Sequence, residues 1–216
     1  MKKIIAMAAL AAISVTASAA TNLITDGSFE APVLAQADGT WGLHEFVPGW
    51  LVTAADGSFD IDGLEVRNDV AGKAEDGNNF IELDGNENDR ITTAFKTVVG
   101  QEYQITFMYA DRANVAANSL GFDASVLTGN LGHLHLTTLD KGAFGDDGAQ
   151  WHEAVIDFTA YSNLSVFSIA AAGVSDSYGT SFDNFSAVAV PEPASLGLLA
   201  AGLAMLGLTA RRRRQQ

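Results

Sequence analysis

Cysteine is absent from this chain of 216 residues. That excludes a disulfide framework, a thiolate nucleophile and any Cys-ligated zinc or iron–sulfur centre, so stability must come from packing or from hard metal ions. Positive charge is scarce as well: 12 Lys and Arg stand against 26 Asp and Glu, a net charge of −14. Binding phosphate requires a Lys and Arg surface that displaces counterions, so nucleic acid is excluded as a partner, and cations or neutral ligands remain. With 48% apolar and only 18% charged residues, the chain is no disordered polyelectrolyte and can fold around a core. Its length allows one domain, or at most two small ones.

The ends differ from the middle. Residues Met1 to Ala20 begin with Lys2 and Lys3, continue with an apolar run from Ile4 to Val15 and close on Ala17-Ser18-Ala19-Ala20. A positive start, a short hydrophobic centre and an A-x-A-like site predict a secretory signal peptide over residues 1–20, cleaved after Ala19 or Ala20. The other end reads Pro191-Glu192-Pro193, an uncharged run from Ala194 to Ala210, then Arg211, Arg212, Arg213 and Arg214. As a helix those 17 residues would rise about 26 Å, near the lower limit for crossing hydrocarbon, with the arginines kept on the cytoplasmic side. The order of these three parts resembles the PEP-CTERM sorting signal of exported bacterial proteins, over residues 191–214. That resemblance implies a temporary transmembrane helix at 194–210. It also implies recognition of Pro191, Glu192 and Pro193 by an exosortase-type membrane protease, and a Gram-negative host that makes extracellular polysaccharide.

Between them, residues 21–190 hold 25 of the acids and six of the bases, Arg67, Lys73, Arg90, Lys96, Arg112 and Lys141, which leaves −19 on the exported part. Such a surface attracts divalent cations. Period-two alternation is clear at Tyr103, Ile105, Phe107 and Tyr109, which share one face of a strand. Similar runs at 50–53, 59–66, 79–83, 91–95, 121–127, 134–139, 152–159, 164–171 and 182–190 predict roughly ten short strands, many bounded by Gly, Asn or Asp. No window sustains helical spacing, although Ala110 to Leu120 has room for a turn or a short helix. There is no internal repeat, so the fold class is all-β, a sandwich or barrel in one domain.

The order Asn22-Leu-Ile-Thr-Asp-Gly-Ser-Phe-Glu30, Gly49-Trp50, Asp76 to Asp84, Gly100-Gln101 and Ser181-Phe-Asp-Asn-Phe-Ser186 resembles exported galactose-binding-like jelly rolls. The resemblance implies a jelly-roll β-sandwich of two antiparallel sheets with adjacent first and last strands, a frequent structural calcium, and use in carbohydrate binding or adhesion. By that likeness Glu30 and Asp183 would each give Ca2+ a carboxylate and Gly27 a backbone oxygen, matching the hard oxygen ligands that calcium takes. The run Asp84 to Arg90 has the alternating oxygens of an EF-hand, but Asp89 stands where that loop needs Gly and Phe95 where it needs Glu. It reads as a polar hairpin turn between strands ending at Leu83 and starting at Ile91.

Nucleophilic chemistry finds no footing, since no Ser lies in a G-x-S-x-G elbow and the Gly-rich stretches lack nucleotide-binding spacing. A binding surface is the alternative. Pyranose rings pack their C–H patches on aromatic faces, with planar amides and carboxylates taking the hydroxyls. Among the platforms, Trp50 and Tyr109 read as core; Trp41, in a Gly39-Thr40-Trp41-Gly42 loop, and Tyr178, in Ser175-Asp-Ser-Tyr-Gly179, read as surface. The sequence therefore predicts an exported, non-enzymatic protein held transiently at the inner membrane and then delivered to the cell surface or extracellular matrix. There it associates with exopolysaccharide, as in a biofilm. The alternatives are a purely structural or adhesive matrix protein without a sugar pocket, and a carbohydrate-active hydrolase.

Overall fold

The computed structural model describes residues 21–59, 61–130, 133–142 and 150–191, with Gly197 and Gly202. Residues 1–20, which the sequence reads as a signal peptide, lie outside the described residues, as do Glu192, Pro193, the arginines 211–214 and nearly all of the run 194–210.

Eleven strands form two antiparallel sheets: β1 (Thr40–His44), β2 (Leu51–Ala54), β3 (Leu64–Asn68), β4 (Phe80–Glu82), β5 (Asp89–Lys96), β6 (Glu102–Ala110), β7 (Gly121–Asn130), β8 (His133–Gly142), β9 (His152–Thr159), β10 (Leu164–Ala171) and β11 (Ser181–Ala189). One sheet runs β1-β3-β4-β11-β6-β9 and the other β2-β5-β10-β7-β8. This is the expected all-β sandwich. Alternation sets the inner faces: Tyr103, Ile105, Phe107 and Tyr109 of β6, and Ala154, Ile156 and Phe158 of β9, point into one core. Phe107 sits at its centre, with the rings of Phe122, Phe167, Phe182 and Phe185 all within 6.3 Å of its own. Trp50, packed against Phe29, Phe167 and Phe185, and Tyr109 belong to the same core.

The first segment closes against the last strand, as Leu23 donates to Ala187 and Asn22 bonds with both Phe185 and Ala187. Gly27 has to be glycine, because a Cβ there would run into the Phe185 carbonyl. Its own carbonyl accepts from the Phe185 amide at 2.9 Å.

Three expectations need correction. The stretch 59–66 begins as loop and becomes strand only at Leu64, since Gly63 at φ +111 lies against the His44 backbone and breaks the run. Trp41 lies on strand β1 and not in a loop, because Thr40 to His44 pair with Asn68 to Leu64. Finally, 84–88 is no hairpin turn: β4 and β5 belong to different sheets, and the segment crosses between them with one isolated bridge, Asp84 to Asn88. The region from Ala110 to Leu120 holds a single 3-10 turn, Ala117–Ser119.

Candidate carbohydrate-binding site

Register places Trp41 beside Arg67 and Leu43 beside Glu65, and carries Glu65 on to Glu82 and Ser181. With Leu64, Val66 and Ile81 committed to the core, Trp41, Glu65, Arg67 and Glu82 share the outer face of the six-stranded sheet. Loops cover that face, so three of the four are buried; Arg67 is 1% exposed. Two of its guanidinium nitrogens meet Glu65 and Glu82, and Arg112 reaches Glu82 from above at 3.1 Å. Burial pushes the Glu82 carboxyl up to about 7, against the pull of Arg67, the Gly179 amide and Arg112.

These carboxylates also shape the loop that follows β10. Asp84 accepts from the amides of Asp176 at 3.0 Å and Tyr178 at 3.3 Å, while Glu82 accepts from Gly179 at 2.9 Å. A Cβ on Gly179 would come within 2.8 Å of Asp84, so this close seat also demands glycine. The outcome is a fixed Tyr178, 49% exposed, with the Arg112 guanidinium 4.7 Å from its ring centre. Arg112 spends one nitrogen, Nη1, on Glu82 and on the Ser177 carbonyl.

Trp41, 54% exposed, and Tyr178 line one depression of about 200 Å³ with Glu65, Val70, Gly85, Asn86, Arg112 and Ser177. Arg112 and Tyr178 also border a larger groove of about 680 Å³ that runs along Ala113 to Ala116. The two aromatic residues nominated from sequence, 137 positions apart, thus share one site. Sequence reasoning missed Arg112, Glu65 and Asn86. Arg112 had one signal, being one of only six bases in an acidic body, but its partner Glu82 lies 30 positions away. Trp151 lies edge-on to Phe80 and donates to the Lys73 carbonyl, apart from this depression.

Glu30, Asp183 and Gly27, nominated for calcium, lie around the 75–79 segment and the β11 bulge. Glu30 Oε1 accepts from the amides of Asn78 and Asn79, both at 2.6 Å. Asp183 Oδ2 accepts from Glu75 and Asp76, and Oδ1 from Asn184. Burial pushes the Asp183 carboxyl up to about 7, partly offset by those amides. Among the described residues no group of three His, Cys, Asp or Glu side chains is placed to hold a metal ion. Two buried oxygens here have no partner, Asp26 Oδ2 and Asn79 Oδ1, on residues that bond to Ala31 and Phe29 on either side of Glu30. Such orphaned hard oxygens fit calcium's ligand chemistry.

The two-sheet β-sandwich is a fold shared with solved structures of other proteins at low sequence identity. The chain superposes on TmCBM61, solved in complex with β-1,4-galactotriose, at a TM-score of 0.53 and 12% identity over 79% of this chain and 99% of that one. It is also similar to a structure described as CBM4, with 16% identity over 77% and 99% of the two chains and a TM-score of 0.48. A third similarity is to the K2 cleaved adhesin domain of Lys-gingipain, with 16% identity over 81% and 99% and a TM-score of 0.48. None of the curated proteins matches the chain. Its tail is matched by the PEP-CTERM protein-sorting motif over residues 189–214, so the chain carries the sorting signal of an exported protein behind a two-sheet β-sandwich.

Proposed function

We propose that the protein is an exported, non-enzymatic polysaccharide-binding module. In this reading its tail anchors it in the inner membrane until an exosortase-type protease acts at Pro191 to Pro193, after which the body is delivered to the cell surface or matrix. One observation carries the binding reading: two half-exposed aromatic rings, a guanidinium with unspent donors and an amide and a carboxylate line a single shallow depression. Rings would pack on the sugar's C–H face, while Arg112, Asn86 and Glu65 would meet hydroxyls. With −19 on residues 21–190, a neutral glycan is favoured over an acidic one.

Affinity electrophoresis through gels containing β-1,4-galactan, xylan or glucomannan tests this. Retardation by at least one neutral polymer, lost by about tenfold or more in Trp41→Ala and in Tyr178→Ala, is the expected result. Retardation that both variants keep would move the site elsewhere, and no retardation would favour the structural matrix protein. Processing has its own test: the intact mass of the secreted form should lack Arg211 to Arg214.

A structural calcium at Glu30 is a second reading, favoured by the orphaned oxygens of Asp26 and Asn79. A cation bound only by the folded state must raise its stability. Calcium should therefore raise the melting temperature relative to chelator, and equal midpoints would exclude the site.

A further inference from the structure

The two ends of the sandwich differ in character. At one end lie the loops that hold Asp56, Asp62, Asp84, Glu87, Asp111 and Asp176, together with Asp89 at the start of β5, Tyr178 and Arg112. At the other end β11 leaves the sheet. The segments that meet there, 96–102, 127–130, 134–136, 159–164 and 189–191, contain one acid, Glu102, and one base, Lys96, with Asp157 bordering them beside Tyr161 and Val190, although residues 21–190 hold 25 acids. Apolar side chains take their place. Val98, Val99, Leu134, Leu136 and Leu164 are each more than half exposed, and Tyr161 nearly so. With Leu127 they make up seven of the fifteen large apolar side chains exposed among the described residues.

This surface is built rather than frayed. Thr97 donates to Asn163, Gly100 to Ala160 and Ala160 to Gln101, so the 97–101 and 160–163 loops are bonded to one another. An apolar patch held this way marks a contact surface.

The exit of the chain says what it meets. Val190 is fixed at this end, its amide on the Glu102 carbonyl and its own carbonyl on Gln101. The uncharged run starts at Ala194, four residues later, and four residues span at most about 14 Å. With that run in a bilayer, the apolar end can stand no more than about 14 Å from the hydrocarbon, about twice the thickness of the headgroup layer. We propose that this end seats on the membrane surface while the tail is anchored. Val98, Val99, Tyr161 and Leu164 enter the interfacial layer, and the Trp41–Tyr178 depression faces away from it. Tyrosine at headgroup depth and a nearly uncharged contact suit that layer, whereas the acidic end does not. The inference rests on the anchoring part of the proposed function.

The cysteine-free chain allows a direct test with single-cysteine variants of the full chain, Val99→Cys, Ser58→Cys and Leu198→Cys. Ser58 lies at the acidic end, beside the Ala54–Asp89 pair. Each variant is labelled with an environment-sensitive nitrobenzoxadiazole dye and reconstituted into phosphatidylcholine vesicles containing shallow doxyl lipid. The expected result is strong quenching at Leu198 and at least twofold more quenching at Val99 than at Ser58. Quenching at Leu198 with Val99 no different from Ser58 overturns the seating and leaves the anchor intact. No quenching at Leu198 overturns the anchor and the seating together. A blue-shifted Val99 label that doxyl lipid does not quench, on a species of twice the monomer mass, assigns the surface to a second copy and overturns the proposal.

Discussion

At the scale of single residues, the acidic composition reveals an unusual use of carboxylates. Six bases serve residues 21–190, and three of the buried acids, Glu82, Asp84 and Asp183, accept hydrogen bonds from backbone amides. Asp89 lacks even that relief: burial and then the charges of Glu87, Asp84, Asp62 and Glu65 push its carboxyl up to about 8. Replacing it by the neutral Asp89→Asn should stabilise the fold by a few kcal/mol more at pH 8.5 than at pH 5, as chemical denaturation at the two pH values would read. Arg67 is the opposite case. Arg67→Met would leave Glu65 and Glu82 buried without their shared cation, a loss of about 3–5 kcal/mol in the same assay. A loss below about 1 kcal/mol would mean that water reaches the pair.

At the scale of elements, strands β9 and β10 were legible to the residue, because the apolar-rich runs from His152 to Thr159 and from Leu164 to Ala171 are separated by the turn residues Ser162 and Asn163, a signal that needs no partner to be recognised. The Asp84 contact to the 175–178 loop is an element-scale device, and it carries a prediction. Asp84→Ala should remove hydrogen-exchange protection from the Asp176 and Tyr178 amides and weaken polysaccharide retardation by about threefold to tenfold, while the β6 amides stay protected. Unchanged exchange at Tyr178 would show that the loop holds itself. This contact joins residues more than ninety positions apart, which local pattern cannot reveal. Strand β1 was illegible for a related reason. Its residues Thr40 to His44 lie at a sheet edge and pack nothing into the core, so they carry no apolar alternation; pairing with β3 alone makes them a strand. The β4–β5 crossing was misread because short polar runs between two strands look the same whether the chain turns back in one sheet or passes to the other. The aromatic half of the candidate site could be read, since glycine-flanked aromatics stand out; its polar half could not.

At the scale of the whole molecule, Glu82 and Asp89, together with Asp183 at about 7, set the pH dependence. Their folded-state values of about 7 and about 8 lie above those of exposed carboxyls, so between roughly pH 4 and pH 8 the folded state binds more protons than the unfolded one. Stability is fully present below that window and falls as pH rises through it, and self-repulsion of the −19 body acts in the same direction. The melting temperature should be higher at pH 5.5 than at pH 8.5; a flat or rising profile would contradict the raised values. Placement of the last strand has a mechanical corollary. Because β11 lies between β4 and β6 and ends at Ala189, two residues before Pro191, drag on the molecule while its tail is anchored would pull on the end of this strand. Its rungs to β6 and to the Asn22–Leu23 segment then carry the load side by side instead of unzipping in turn. A still-anchored molecule hauled by flowing polymer would pass force through these rungs to its body without opening.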